Sequence, residues 1–188
     1  MELRVRELCK RYGEAAALRP VSFTAGEGIT CVSAPSGGGK TTLLRILMGL
    51  ERADNGTVEG LDTLRVAAVF QENRLLEGRS AEANLRFALG AAYDAPSARA
   101  LLAELGLELS DGKPVREYSG GMKRRLALAR ALLAPGELLL LDEPFTGLDE
   151  ENRERAAACI RRCAAGRIVL LVTHELPDSL RGCRTVRL

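Results

Sequence analysis

The chain has 188 residues, 27 basic and 25 acidic side chains for a formal charge of +2, and 46% hydrophobic content. That length suits one domain, or one domain with an inserted subdomain, with a core of useful size. The balanced charge gives no reason to expect nucleic acid as a partner, which a strongly basic patch would announce.

No run approaches the ~20 apolar residues that cross a bilayer, and "MELRVRELCKRYG" is no signal peptide, so any membrane role is expected to be peripheral. Five cysteines without a secretory signal fit a reduced, cytoplasmic setting. Cys159 and Cys163 stand one helical turn apart, but no histidine or second cysteine pair accompanies them. They are read as packing residues rather than metal ligands.

In chain order, "ELRVRE" alternates Leu3 and Val5 with charged residues, as a strand with one wet face would, and the alternation fails at Glu7. After the turn "AGEG", "ITCVS" reads as a buried strand. The period then changes, and Leu43, Ile46, Leu47 and Leu50 predict one face of a helix. Three nearly unbroken apolar runs, at 65–70, 138–141 and 167–172, suit strands covered on both faces in a parallel sheet. Between 71 and 118, "SAEANLRFAL" and "PSARALLAELGL" read as helices with no strand between them, a helical insertion. Next, "MKRRLALARALL" sets Met122, Leu126, Ala129 and Leu133 on one helical face, and "ENRERAAACIRRC" is amphipathic as well. Strands alternating with helices define an α/β domain.

The junction "SAPSGGGKTTLLR" places a Gly-rich loop between a strand and a helix. Ser36, Gly37, Gly38, Gly39, Lys40, Thr41 and Thr42 form a candidate phosphate cradle. Glycines let backbone N–H groups converge on a β-phosphate, the helix N-terminus adds donors, Lys40 would bridge β- and γ-oxygens, and the Thr41 hydroxyl would take Mg²⁺. Ala34 replaces the first glycine of the usual G-x-x-x-x-G-K-[ST] spacing. If that position required a positive φ, its methyl would cost about 1 kcal/mol.

Further stretches narrow the class. "YSGGMKRRLALAR" puts Ser119, Gly120 and Gly121 at a helix start, where a hydroxyl and open backbone N–H groups make a second anion site. "LLLLDEPFTGLDE" ends a buried strand in Asp142 and Glu143, the edge at which open α/β sheets bind ligands. Asp142 suits Mg²⁺, and Glu143 suits orienting an attacking water. Asp149 reads as a helix N-cap. His174, the sole histidine, follows the last buried strand in "LVTHE", and Gln71 follows an earlier one in "AVFQENRLLEG". Lys123, Arg124 and Arg125 read as a solvated helix face, with Arg124 or Arg125 near the nucleotide.

With these motifs in this order, the sequence resembles the ABC-type ATPases from Tyr12 to about Glu175, with Tyr118 and Met122 departing from the family's Leu-Ser-Gly-Gly-Gln loop. The resemblance implies a P-loop NTPase parallel-sheet core with an antiparallel β subdomain (1–70 and 119–188) and an inserted helical subdomain (71–118). It implies ATP and Mg²⁺ as ligands, with Tyr12 stacking on adenine. Gln71 would lie in a Q-loop reaching the metal or the attacking water, and His174 would be a switch histidine contacting the γ-phosphate. Ser119, Gly120 and Gly121 would serve a partner subunit's nucleotide, and Asp149 a D-loop at the dimer contact. A homodimer or paired ATPase subunit follows, with transmembrane permease subunits docking near Gln71 on the inner face of the membrane. "VFQENRLL" and "SGGMKRR" are similar to ATPases of nitrate and sulfonate importers. A non-transport ABC-type ATPase acting on nucleic acid or ribosomes, and a small-molecule P-loop kinase, are the alternatives. The second would leave Ser119, Glu143 and His174 without a task.

Overall fold

The computed structural model describes residues 1–35, 37–108 and 112–188. The elements run β1 (Glu2–Tyr12), β2 (Ala15–Gly26), β3 (Gly28–Ser33), α1 (Lys40–Leu47), β4 (Asn55–Glu59), β5 (Val66–Val69), α2 (Ala81–Leu89), α3 (Ala95–Glu104), α4 (Gly120–Leu133), β6 (Leu138–Asp142), α5 (Glu150–Cys163), β7 (Ile168–Val172) and β8 (Arg184–Arg187). Five strands form a parallel sheet in the order β5-β6-β7-β3-β8, and three form an antiparallel sheet in the order β2-β1-β4.

The unbroken apolar runs are explained by what covers the parallel sheet. Side chains alternate across a strand, and every residue of β6 and β7 is buried. Leu139, Leu141, Val169 and Leu171 pack with the α2–α5 helices. Leu138, Leu140, Ile168, Leu170 and Val172 pack instead with Leu43, Leu44 and Leu47 of α1 and with Leu3, Val5, Leu8, Leu18 and Val21 of the antiparallel sheet. Truncating one of these leucines to alanine is expected to cost about 2–5 kcal/mol. α4 is enclosed nearly all round, with Leu126, Ala127, Leu128, Ala129, Ala131 and Leu132 buried.

Two expectations need correction. Leu50 does not extend the apolar face of α1: the helix ends at Leu47, Gly49 takes a positive φ of 69°, and Leu50 is exposed. A left-handed glycine just past the last turn is a common helix stop. Nor does the break in alternation at Glu7 end the strand, which runs on to Tyr12. Glu7 adopts φ 45°, and between the Val5–Phe23 and Leu8–Val21 pairs β1 advances three residues while β2 advances two. This is a β-bulge, one extra residue on one strand. Buried positions are therefore odd before it (Leu3, Val5) and even after it (Leu8).

Candidate functional site

β5, β6, β7 and β3 are neighbours in the parallel sheet, so the segments leaving their C-terminal ends converge. They bring Gly37, Gly38, Gly39, Lys40, Thr41, Thr42, Gln71, Asp142, Glu143 and His174 around one cleft of about 350 Å³, with Ala17 of β2 completing its wall. Ser36 lies outside the described residues.

The loop after β3 turns into α1 through Gly39, at φ 90°, where an added Cβ would stand 2.7 Å from the Ala17 carbonyl. A glycine is required there on both counts. Ala34 is a different case. Among the described residues the non-glycine positions at positive φ are Glu7, Arg74 and Glu143, so Ala34 has ordinary backbone and its methyl carries no left-handed penalty. Lys40 donates from Nζ to the carbonyls of Ala34 and Pro35, at 2.8 and 3.2 Å, bracing the loop from within.

Thr41 Oγ1 donates to Asp142 Oδ2 at 3.3 Å, tying the first turn of α1 to the end of β6. Asp142 is only 5% exposed, and burial pushes its carboxyl above the usual range, opposed by the Thr41 hydrogen bond and by the charges of Arg124 and Lys40. A buried carboxylate beside a hydroxyl is a hard-oxygen pair of the kind that suits Mg²⁺, which takes one or two protein oxygens and completes its shell with phosphate and water. Among the described residues no cluster of three or more His, Cys, Asp or Glu side chains forms an all-protein metal cage.

Glu143 sits in the left-handed region at φ 50°, a conformation that costs a non-glycine residue about 1–2 kcal/mol. Its N–H donates to the Val172 carbonyl at 2.9 Å, which holds it against the end of β7. His174 Nε2 lies 3.3 Å from Glu143 Oε1, and the His174 N–H donates to Oε2 at 3.4 Å. Apart from that contact with His174, Oε1 is buried without a hydrogen-bond partner among the described residues. A buried carboxylate oxygen with spare acceptor capacity beside a phosphate cradle is a ready acceptor for a water proton.

The remaining candidates lie elsewhere. Ser119 caps α4, its Oγ accepting from the Met122 N–H at 3.2 Å. A Cβ on Gly121 would come within 3.1 Å of the Gly147 carbonyl, so the start of α4 abuts the turn before α5. Asp149 caps α5 as its residue type predicts, accepting from the Asn152 N–H at 2.9 Å. Tyr12 stands half-exposed at the end of β1 outside the cleft lining, with Lys10 Nζ 5.7 Å from its ring and Glu51 pushing its phenol pKa up.

The solvated-face expectation for 123–125 fails for Arg124. That side chain is buried at 3% exposure and donates to carbonyls at the ends of both β5 and β6. Arg125 is half-buried and reaches the Leu105 and Gly106 carbonyls and Asn152 Oδ1. Ala17 had no signal in its residue type.

A strand–glycine loop–helix cradle, with a carboxylate pair at the neighbouring strand end, defines a P-loop nucleotide site. The sequence profile of the ABC transporter family matches residues 18–146. A sulfate/thiosulfate import ATP-binding protein, CysA, of Burkholderia mallei is 40% identical over 202 residues, covering 96% of this chain and 57% of its own length. An aliphatic sulfonates import ATP-binding protein, SsuB 2, of Nocardia farcinica is 39% identical, covering 95% of this chain and 75% of its own length. A solved ABC transporter ATP-binding protein from Pyrococcus furiosus superposes with a TM-score of 0.87 over 100% of this chain and 98% of that one, at 23% identity, and so shares the fold. The chain belongs to the ABC transporter family. It spans little more than half the length of the CysA relatives and three-quarters of that SsuB relative.

Proposed function

We propose that this chain is the ATP-binding and ATP-hydrolysing subunit of an ABC importer, pairing with a second ATPase subunit and driving permease subunits in the membrane. The observation that carries the reading is Glu143 Oε1, buried with His174 as its polar contact among the described residues, at the cleft that the Gly37–Thr42 loop walls. The loop's N–H groups and Lys40 bind the β- and γ-phosphates. Thr41, Asp142 and Gln71 would hold Mg²⁺, which would neutralise charge on the phosphate oxygens. Glu143 accepts a proton of the attacking water and orients its oxygen in line with the γ-phosphorus. As that O–P bond forms, the bond from γ-phosphorus to the β–γ bridging oxygen breaks, giving ADP and phosphate. His174 contacts the γ-phosphate, and Tyr12 takes the adenine.

No helix among the described residues is long and apolar enough to cross a membrane, which is consistent with separate membrane subunits. The helices of 71–118 form the insertion beside which those subunits dock, near Gln71, placing the chain on the inner face of the membrane. Ser119, Gly120 and Gly121 serve the partner's nucleotide, and Asp149 adds to the dimer contact. Relatives named for sulfate, thiosulfate and sulfonates support a sulfur oxyanion as cargo.

The test is Glu143→Gln with MgATP, followed by size exclusion with light scattering. A dimer formed with ATP, absent with ADP and lost on adding Ser119→Glu, is the expected result. ATP binding that leaves this variant monomeric, or a dimer indifferent to Ser119, would overturn the paired-subunit reading.

A further inference from the structure

We infer that Arg124 is a positioning residue: its guanidinium fixes the Gln71 segment and the Glu143 turn in one mutual geometry, so that neither can shift without the other. This rests on the hydrolytic reading of the cleft given above.

The geometry is specific to this side chain. Nη1 donates to the Phe70 carbonyl at 2.6 Å, the Gln71 carbonyl at 3.3 Å and Asn73 Oδ1 at 3.2 Å. Nη2 donates to the carbonyls of Asp142 and, at 2.6 Å, of Glu143. One planar group therefore spans the exits of β5 and β6, strands that are hydrogen-bonded neighbours only as far as Val69 and Leu141. The ladder has no further rung between them, and Arg124 joins the two segments beyond it. A guanidinium offers donors in a rigid fork, whereas an ammonium is a compact point charge and cannot hold both pairs at once.

The choice of acceptors matters as much as the reach. Burial opposes the Arg124 charge, and the nearby charges of Asp142 and Glu143 support it. Yet the hydrogen bonds to those two residues go to backbone carbonyls, which leaves their carboxylates available for metal and water. The Glu143 carbonyl belongs to the residue held at φ 50°, so Arg124 helps hold the reacting carboxylate in a backbone conformation it would not otherwise favour.

Arg130, six residues further along α4, provides the contrast. It donates to the Asn73 and Arg74 carbonyls at 3.0 and 2.6 Å, clamping the same segment but making no bond to β6. Ser119 caps α4, so one helix carries Ser119, Gly120 and Gly121 at its start and both clamps on its body. Movement at the permease-facing segment is thereby geared to the turn that carries Glu143.

The experiment compares Arg124→Lys with Arg130→Lys, both keeping charge and stem, and Arg124→Gln as a second loss variant. ATP hydrolysis is resolved into kcat and KM, and backbone amide exchange is followed on the nucleotide-free protein. For Arg124→Lys the expected outcome is a kcat lowered by at least about tenfold with KM for MgATP within about threefold. Exchange should rise together across 70–74 and 142–147. Arg130→Lys should raise exchange at 73–74 alone and leave kcat within about twofold. A wild-type kcat for Arg124→Lys, an equal loss in Arg130→Lys, or KM rising in step with a general loss of protection would overturn the inference. Wild-type protein that hydrolyses no ATP would instead overturn the hydrolytic reading, while the exchange pattern would still decide whether Arg124 couples the two segments.

Discussion

The methyl of Ala34 stands 2.7 Å from the point that a Cβ on Gly38 would occupy. The departure from the usual loop spacing at 34 therefore leaves no room for a side chain at 38. The Pro35 carbonyl, 2.9 Å from the same point, crowds it as well. Ala34→Gly is expected to change ATP affinity by no more than about threefold, because Ala34 carries no backbone strain. Gly38→Ala should weaken binding by at least about tenfold, roughly 1.4 kcal/mol. The double variant should stay weak, since Pro35 remains. Titration with a fluorescent ATP analogue checks all three.

Asp142 gives a prediction with a definite sign. Its carboxyl pKa is raised by burial, so the favourable contribution of its protonated form is present below the ordinary value and is lost as pH rises through the raised one. At neutral pH the buried charge is a liability to the nucleotide-free fold. Asp142→Asn should raise the thermal midpoint at about pH 7 by a few degrees, of the order of 1 kcal/mol, with the gain shrinking towards pH 3. The same change should abolish the extra stabilisation that Mg²⁺ brings over ATP alone, which thermal melts with and without the metal would show.

A surface pair reports the opposite sign. Arg65 donates to both carboxylate oxygens of Glu137, through its backbone N–H and its guanidinium, and holds that carboxyl down at about 2. Its contribution is present above the ordinary carboxylate pKa and disappears as pH falls towards about 2. Arg65→Ala should lower the urea midpoint at neutral pH, and the difference from wild type should close as pH falls below about 4. A difference that persists at about pH 2 would mean that the guanidinium acts through packing alone.

Burial pushes the Cys31 thiol up to about 12 and the Cys159 thiol up to about 11, with both side chains only 3% exposed. Thiolate is the reactive form. A maleimide at about pH 7 should leave both unmodified in the native protein and label both in denaturant, as peptide mass spectrometry would read.

The legible parts of the sequence were those whose signal is local. The runs at 138–141 and 167–172 became central strands because a strand buried on both faces needs apolar residues at every position. Asp149 could be read as a cap because capping is settled within three residues. The strands β2 and β4 left little trace. β4, "NGTVE", buries no side chain, and β2 buries only Leu18, Val21 and Ala25 across register shifts against β1. Arg124 was misread for a related reason. A charge on an amphipathic helix defaults to solvent unless acceptors await it, and its acceptors come from Phe70, Gln71, Asp142 and Glu143, far away in sequence. The convergence of Lys40, Thr41, Asp142 and Glu143 was foreseeable from motif order. The bridge between strand exits was not.

The bulge at Glu7 makes β1 asymmetric towards changes in length. Lys10 and Tyr12 share a side of the strand, as the 5.7 Å approach of ammonium to ring shows, and the extra residue puts that side in phase with Leu3 and Val5. Deleting Glu7 would straighten the strand while leaving Tyr12 in phase with the inner face. Inserting one residue between Leu8 and Tyr12 would move the half-exposed ring to the opposite side of the strand while leaving the residues of the phosphate cradle unchanged. The aromatic's placement is thus written in the parity of a strand count, a property that indels can alter and that no point substitution at Tyr12 would reveal.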